Sequence, residues 1–137
     1  MSRKETAGRI IKETKLVGWA DVPEEWLNRD ISRKMIIGQN EMLARLVLKK
    51  GSVVPSHRHI SEQVSSIMSG ALVFKIGGRK ITVREGEVLV IPPNVVHSVV
   101  ALEDSVAVDA FSPIRLDWLS GDDSYLRTGK SSLGKTR

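Results

Sequence analysis

The stretch ALVFKIGGRKITV, residues 71–83, constrains the fold more than any other part of the chain. Two short apolar runs flank Gly77-Gly78. Adjacent glycines accept the positive φ angles of the tightest hairpin turn, so the runs read as paired antiparallel strands. The same pattern recurs on both sides. RKMIIG and MLARLVLKKG flank GQNE, a plausible turn, and EGEVLVIPPNVVHSVVAL and SVAVDAF follow. Short strands separated by Gly, Pro and Asn predict an all-β sandwich or barrel. The leucines of NEMLARLVLKK also fit a helical period. The lysines and glycine behind them, and the β context, favour a strand. One short helical turn is expected in WADVPEEWLN, with Asp21 as its cap and Pro23 near its first position.

A chain of 137 residues is the size of one domain. No run approaches the roughly 18 apolar residues of a membrane span. The start, MSRKETAGRIIKETK, has no apolar core before a small-residue cleavage site, and the chain has no cysteine. A cytoplasmic protein without disulfides is expected, and any metal must be held by nitrogen and oxygen. The net charge of +5 is unevenly spread: residues 1–15 carry +3, 16–126 carry −2 and 127–137 carry +4. Positive charge therefore sits at the two polar ends, and no nucleic-acid partner is expected for the folded part. The reading divides the chain into a basic N-terminal segment (1–16), one folded domain (17–126) and a basic, mobile C-terminal tail (127–137).

The chain has three histidines, and two stand in SHRHISEQ, residues 56–63. On a strand, His57 and His59 point the same way. Gln63 shares their parity and Glu62 does not. His97 follows bends marked by Gly86, Pro92 and Asn94 and is expected on the next strand. Three neutral imidazoles and one amide oxygen make a mixed site that suits Zn, Fe, Ni, Cu or Mn. Further on, VDAFSPIRLDWL puts Asp109 and Phe111 on one strand face, with Arg115 beyond a turn. An acid, an aromatic ring and an arginine converging on a metal pocket look like substrate machinery. Taken singly, a capping aspartate, a buried phenylalanine and a surface arginine describe them as well.

The spacing of these residues resembles the cupin family. Its first motif reads here as Gly51, SVVPS, His57, Arg58, His59, ISE, Gln63, VSSIMS, Gly70; its second reads as Gly86, EVLVI, Pro92, Pro93, Asn94, VV, His97. Gln63 stands where Glu is commoner, which removes a negative charge from the site. Asn94 replaces a glycine, a mild change because Asn tolerates positive φ. The motifs cover residues 51–97, and the strands around them extend the resemblance to about 33–113. It implies a cupin jelly-roll β-barrel (a double-stranded β-helix) with one divalent transition metal in its mouth, bound by His57, His59, Gln63 and His97. Small cupins commonly pair, which implies a homodimer.

Within the cupins, three histidines plus glutamine, followed by Asp-x-Phe-x-x-x-Arg, most resemble the KdgF-type uronate-opening proteins of pectin and alginate breakdown. That resemblance implies metal-dependent ring opening and tautomerisation of 4,5-unsaturated monouronates, with Asp109, Phe111 and Arg115 tied to activity and a small carboxylated sugar as substrate. A metal-dependent dioxygenase, a polyketide-cyclase-like cupin and a non-enzymatic acid- or sugar-binding module are the alternatives, because cupins host many chemistries.

Overall fold

The computed structural model describes residues 8–131 and 133. The two glycines turn as their lack of side chains allows. β6 (Ala71–Ile76) and β7 (Arg79–Arg84) pair across them, with Ile76 opposite Arg79. Gly77 and Gly78 take φ of 55° and 80°, the left-handed pair a two-residue hairpin requires. The ambiguous NEMLARLVLKK is a strand, β3 (Met42–Leu48). It lies between β2 (Ile31–Ile37) and β10 (Ser105–Ser112), whose ladders satisfy its backbone on both sides. Met42 and Ala44 are buried while Leu43 is exposed, so the period of two prevails over the helical one.

The described strands build two antiparallel sheets. One runs β1 (Glu25–Trp26), β2, β3, β10, β5 (Glu62–Ser69), β8 (Val88–Ile91); the other runs β4 (Val53–His57), β9 (His97–Ala101), β6, β7. From β3 onward the chain passes back and forth between the sheets, returning to the same sheet only at the β6–β7 hairpin. This winding is the jelly roll, and the all-β expectation holds. Ile31, Leu48, Ile67, Leu72, Phe74 and Ile91 fill the space between the sheets, each contributing roughly 1.5–3 kcal/mol by burial.

Three expectations shift. The helical turn is a single 3-10 turn at Trp19–Asp21, and Asp21 ends it instead of capping it. Pro23 forces the residue before it into extended geometry, and Val22 is extended, so the proline closes the turn. The boundary at 126/127 cuts a helix. Two short helices, α1 (Leu116–Ser120) and α2 (Ser124–Thr128), follow the barrel, each ended by a left-handed glycine, Gly121 and Gly129. Arg127 pairs with Glu25 and Asp123, and the Ser131 hydroxyl donates to the Ser56 carbonyl. The segment expected at 1–16 also reaches the sheet, because the Ile11 amide donates to the Ile37 carbonyl at 2.8 Å. The rest of both expected tails, residues 1–7, 132 and 134–137, lies outside the described residues. No helix among the described residues is long and apolar enough to cross a membrane.

Gly70, between β5 and β6, is the most closely approached of the described glycines. Its φ is 85°, and a Cβ there would collide with the Ser105 side chain and lie 2.5 Å from the Asp104 carbonyl oxygen. Gly86 has the similar φ of 83° with nothing within 4 Å of such a Cβ. Gly70→Ala is therefore expected to cost about 2–4 kcal/mol in denaturant unfolding and Gly86→Ala about 1 kcal/mol. Equal losses would show that the contact at Ser105 relaxes freely.

Candidate metal centre

The histidines gather where the two sheets meet at one end of the barrel. His57 ends β4, His97 opens β9, and the two stand opposite each other in the ladder. His59 lies in the loop beyond β4. Gln63, second in β5, is buried and points inward, whereas Glu62 is exposed, as parity predicts. The two motifs are joined by backbone: the Asn94 amide donates to the His59 carbonyl at 2.8 Å. Asn94 takes a φ of 62°, the positive angle that fits a position where the cupin motif has glycine.

The hydrogen bonds of the rings decide their chemistry. Nδ1 of His57, His59 and His97 lies 2.8 Å from the carbonyl oxygens of Pro55, Ser61 and Val95 respectively. A carbonyl only accepts, so each Nδ1 carries the proton and each Nε2 keeps a lone pair. The three rings offer ligand atoms within 4.8 Å of one another. His97 Nε2 is buried with no hydrogen-bond partner. His59 Nε2 faces the Gln63 side chain oxygen at 3.0 Å. That oxygen is also an acceptor, because the amide nitrogen of Gln63 donates to Ser65 Oγ at 2.9 Å and to Asp109 Oδ2 at 3.4 Å. Two acceptors this close repel unless a cation lies between them. The donor set fits one divalent transition metal held by three imidazole nitrogens and an amide oxygen.

Protonation follows from burial. Burial, then the neighbouring His97, lowers His57 to about 3. Burial, then the Arg115 charge, lowers His59 to about 4, and burial lowers His97 as well. Neutral rings are the form that binds a metal. Asp109 is pushed the other way, up to about 6, because burial disfavours its charge more than a hydrogen bond from Ser65 favours it. Its Oδ1 is buried without a partner.

Phe111 lies opposite Gln63 in the β10–β5 ladder. Its ring meets His59 edge-on at 5.6 Å and Trp118 at 5.2 Å. Arg115 is not a surface cation: it is 2 % exposed. Its Nε and Nη2 donate to the two carboxylate oxygens of Asp117 at 2.9 and 2.7 Å, and Nη2 also donates to the Tyr125 hydroxyl at 2.8 Å. Burial works against its charge, yet the Asp117 and Tyr125 contacts hold its pKa above the ordinary value. An interior cavity of about 40 Å³ is lined by His57, Gln63, His97, Asp109, Phe111 and Arg115 among others. An outer groove of about 420 Å³ is lined by Arg58, His59, Ser61, Pro113 and Asp117 among others. Arg115 is the one residue lining both.

Three site residues carried little signal in the sequence. Tyr125, the chain's single tyrosine, stacks on His57 at 4.8 Å. Trp118 donates from its indole to the Tyr125 hydroxyl. Asp117 fills the arginine fork. They lie on α1 and α2, and only the aromatic ring beside an acid in RLDWL hinted at them.

A double-sheet barrel with three histidines and a glutamine at its end defines a class, the small β-barrels able to hold a metal. The cupin domain family model matches residues 44–111, and the chain belongs to the cupin family. That span contains every proposed ligand, with Asp109 and Phe111; Arg115, Asp117 and Tyr125 lie beyond it. Among solved structures, KdgF from Halomonas sp. is 27% identical with a TM-score of 0.72, over 77% of this chain and 99% of that one. An RmlC-like cupin from Shewanella frigidimarina is 23% identical with the same TM-score of 0.72, over 77% of this chain and 96% of that one. A predicted oxalate decarboxylase from Thermotoga maritima is 17% identical with a TM-score of 0.64, over 73% of this chain and 100% of that one. The last two share the fold alone. A search of the curated proteins found no match.

Proposed function

We propose that this cupin is a metal-dependent enzyme that opens the ring of 4,5-unsaturated monouronates and tautomerises the product to the linear keto form. The observation that carries the reading is Asp109, a buried carboxyl with an unpartnered oxygen beside a four-donor metal site. The similarity to KdgF from Halomonas sp. supports the same class. A bound metal would supply Lewis-acid polarisation of a substrate oxygen. The rest falls to the chain. Asp109 takes the proton from the anomeric hydroxyl as the bond from that carbon to the ring oxygen breaks. An aldehyde forms there and an enolate oxygen is left at the far end. Asp109 then returns the proton to C4 as the enolate becomes a ketone, so the reaction is balanced and redox-neutral. Arg115 orients the sugar carboxylate, and Phe111 keeps the wall dry.

The test is loss of enol-ether absorbance when metal-loaded protein meets unsaturated galacturonate without oxygen. Asp109→Asn is expected to slow turnover ~100- to 10,000-fold with metal content unchanged. A requirement for oxygen, or full turnover by Asp109→Asn, would contradict the reading.

We also propose a homodimer. Ile36, Leu43, Ala110, Val64 and Val90 are successive ladder partners across five strands of the larger sheet. Each is exposed or half-buried, on the side away from the core. A second copy laid on this apolar row would cover it. Light scattering should give twice the chain mass of 15.1 kDa, and Val90→Glu should shift the protein toward monomer. A monomer mass for the unmodified protein at micromolar concentration argues against it.

A further inference from the structure

Arg115 is the natural receptor for a ligand carboxylate, yet its fork is full. Asp117, two residues on, binds it through both oxygens at 2.9 and 2.7 Å. The geometry is the parallel pairing of a guanidinium with any carboxylate. The two partners differ in exposure: the Arg115 side chain is 2% exposed and that of Asp117 is 36% exposed. The carboxylate can therefore swing into solvent while the guanidinium stays fixed. The guanidinium is also held by the Tyr125 hydroxyl, which accepts from the same Nη2, and lies 4.5 Å from the Trp118 ring centre and 5.0 Å from that of Phe111. Space agrees with this division. The groove of about 420 Å³ on the Asp117 side has room for the body of a monosaccharide, and it shares Arg115 with the interior cavity of about 40 Å³ that Asp109 lines. That groove reaches His59, one of the proposed metal ligands, as well as Arg115 and Asp117.

We propose that Asp117 is an internal placeholder for the ligand's carboxylate. It occupies the Arg115 fork in the resting protein and is exchanged for the carboxylate of a sugar acid arriving in the groove. The proposal rests on the uronate reading only for the class of the ligand. The exchange replaces one bidentate pair with another, so the carboxylate by itself adds little net affinity. A simple acid such as acetate gains nothing by displacing Asp117. A sugar acid gains because its hydroxyls make further contacts toward His59. Asp117 is in this sense a specificity-determining residue, selecting carboxylates that bring a second set of polar groups.

The test is calorimetric titration of the metal-loaded protein with saturated D-galacturonate and with acetate, comparing the natural chain with Asp117→Asn. Asparagine keeps the shape and loses the charge. The Asp117 backbone carbonyl, which accepts from Gly121 and Asp122, is retained. Galacturonate should bind Asp117→Asn at least about tenfold more tightly, the size of one charge-assisted hydrogen bond released for use. Acetate binding should become measurable, and galacturonate should raise the melting temperature of the variant more than that of the natural protein. Unchanged or weaker galacturonate binding by Asp117→Asn would overturn the proposal and leave Asp117 as a structural partner of Arg115, as would absence of binding to both proteins. Saturated galacturonate has no 4,5 double bond and cannot be converted to the keto product, so the result is independent of that turnover. Tighter binding without turnover of the unsaturated sugar would sustain the placeholder and sink the enzyme reading, and turnover with unchanged binding would do the reverse.

Discussion

Three short hydrogen bonds from imidazole Nδ1 to backbone carbonyls organise the site of this protein. Each partner is two residues from its histidine, so the local chain path fixes both the tautomer and the ring direction. The consequence is that Nε2 lone pairs converge from a strand end, a loop and the start of another strand. The glutamine is treated the same way: Ser65 and Asp109 hold its amide nitrogen, and its oxygen has to face His59. Buried groups that ordinarily share hydrogen bonds with one another are here turned so that acceptors meet acceptors. Such an arrangement is costly without a cation and favourable with one.

The C-terminal helices close the same end of the barrel, and a buried ion pair holds them there. Arg33 of β2 donates to Asp123 at 2.6 Å, and both side chains are 2% exposed. Glu25 and Arg127 extend the pair into a cluster joining β1, β2 and α2, and the Asn28 amide donates to the Leu126 carbonyl. Removing one member of a buried pair typically costs about 3–5 kcal/mol, far more than an exposed pair is worth. The cluster thus couples the position of Tyr125, and through it Arg115, to the barrel wall. The chemistry at the mouth depends on residues placed by charges some distance from it.

Much of this was legible in the sequence, for identifiable reasons. The Gly77-Gly78 hairpin could be read because two left-handed residues in a row have few other uses. Gln63, rather than Glu62, could be assigned inward because side chains alternate on a strand. Asn94 could be accepted in a glycine position because it tolerates positive φ. What escaped was set by contacts distant in sequence. The helices α1 and α2 have five residues each, too few for a periodic apolar face, and Arg33–Asp123 joins residues 90 positions apart. Arg115 is buried because Trp118, Tyr125 and Asp117 of this cap and Phe111 of β10 surround it, and no local pattern announces that.

The geometry of the site depends on the cation that the facing acceptors call for. A crystal structure of the protein loaded with a divalent metal such as Zn²⁺ or Ni²⁺ tests it most directly. One ion should sit about 2.0–2.3 Å from Nε2 of His57, His59 and His97 and from the side-chain oxygen of Gln63, with each Nδ1 still on its carbonyl. An ion bound elsewhere, coordination through Nδ1, or His97 Nε2 left without a metal would contradict it.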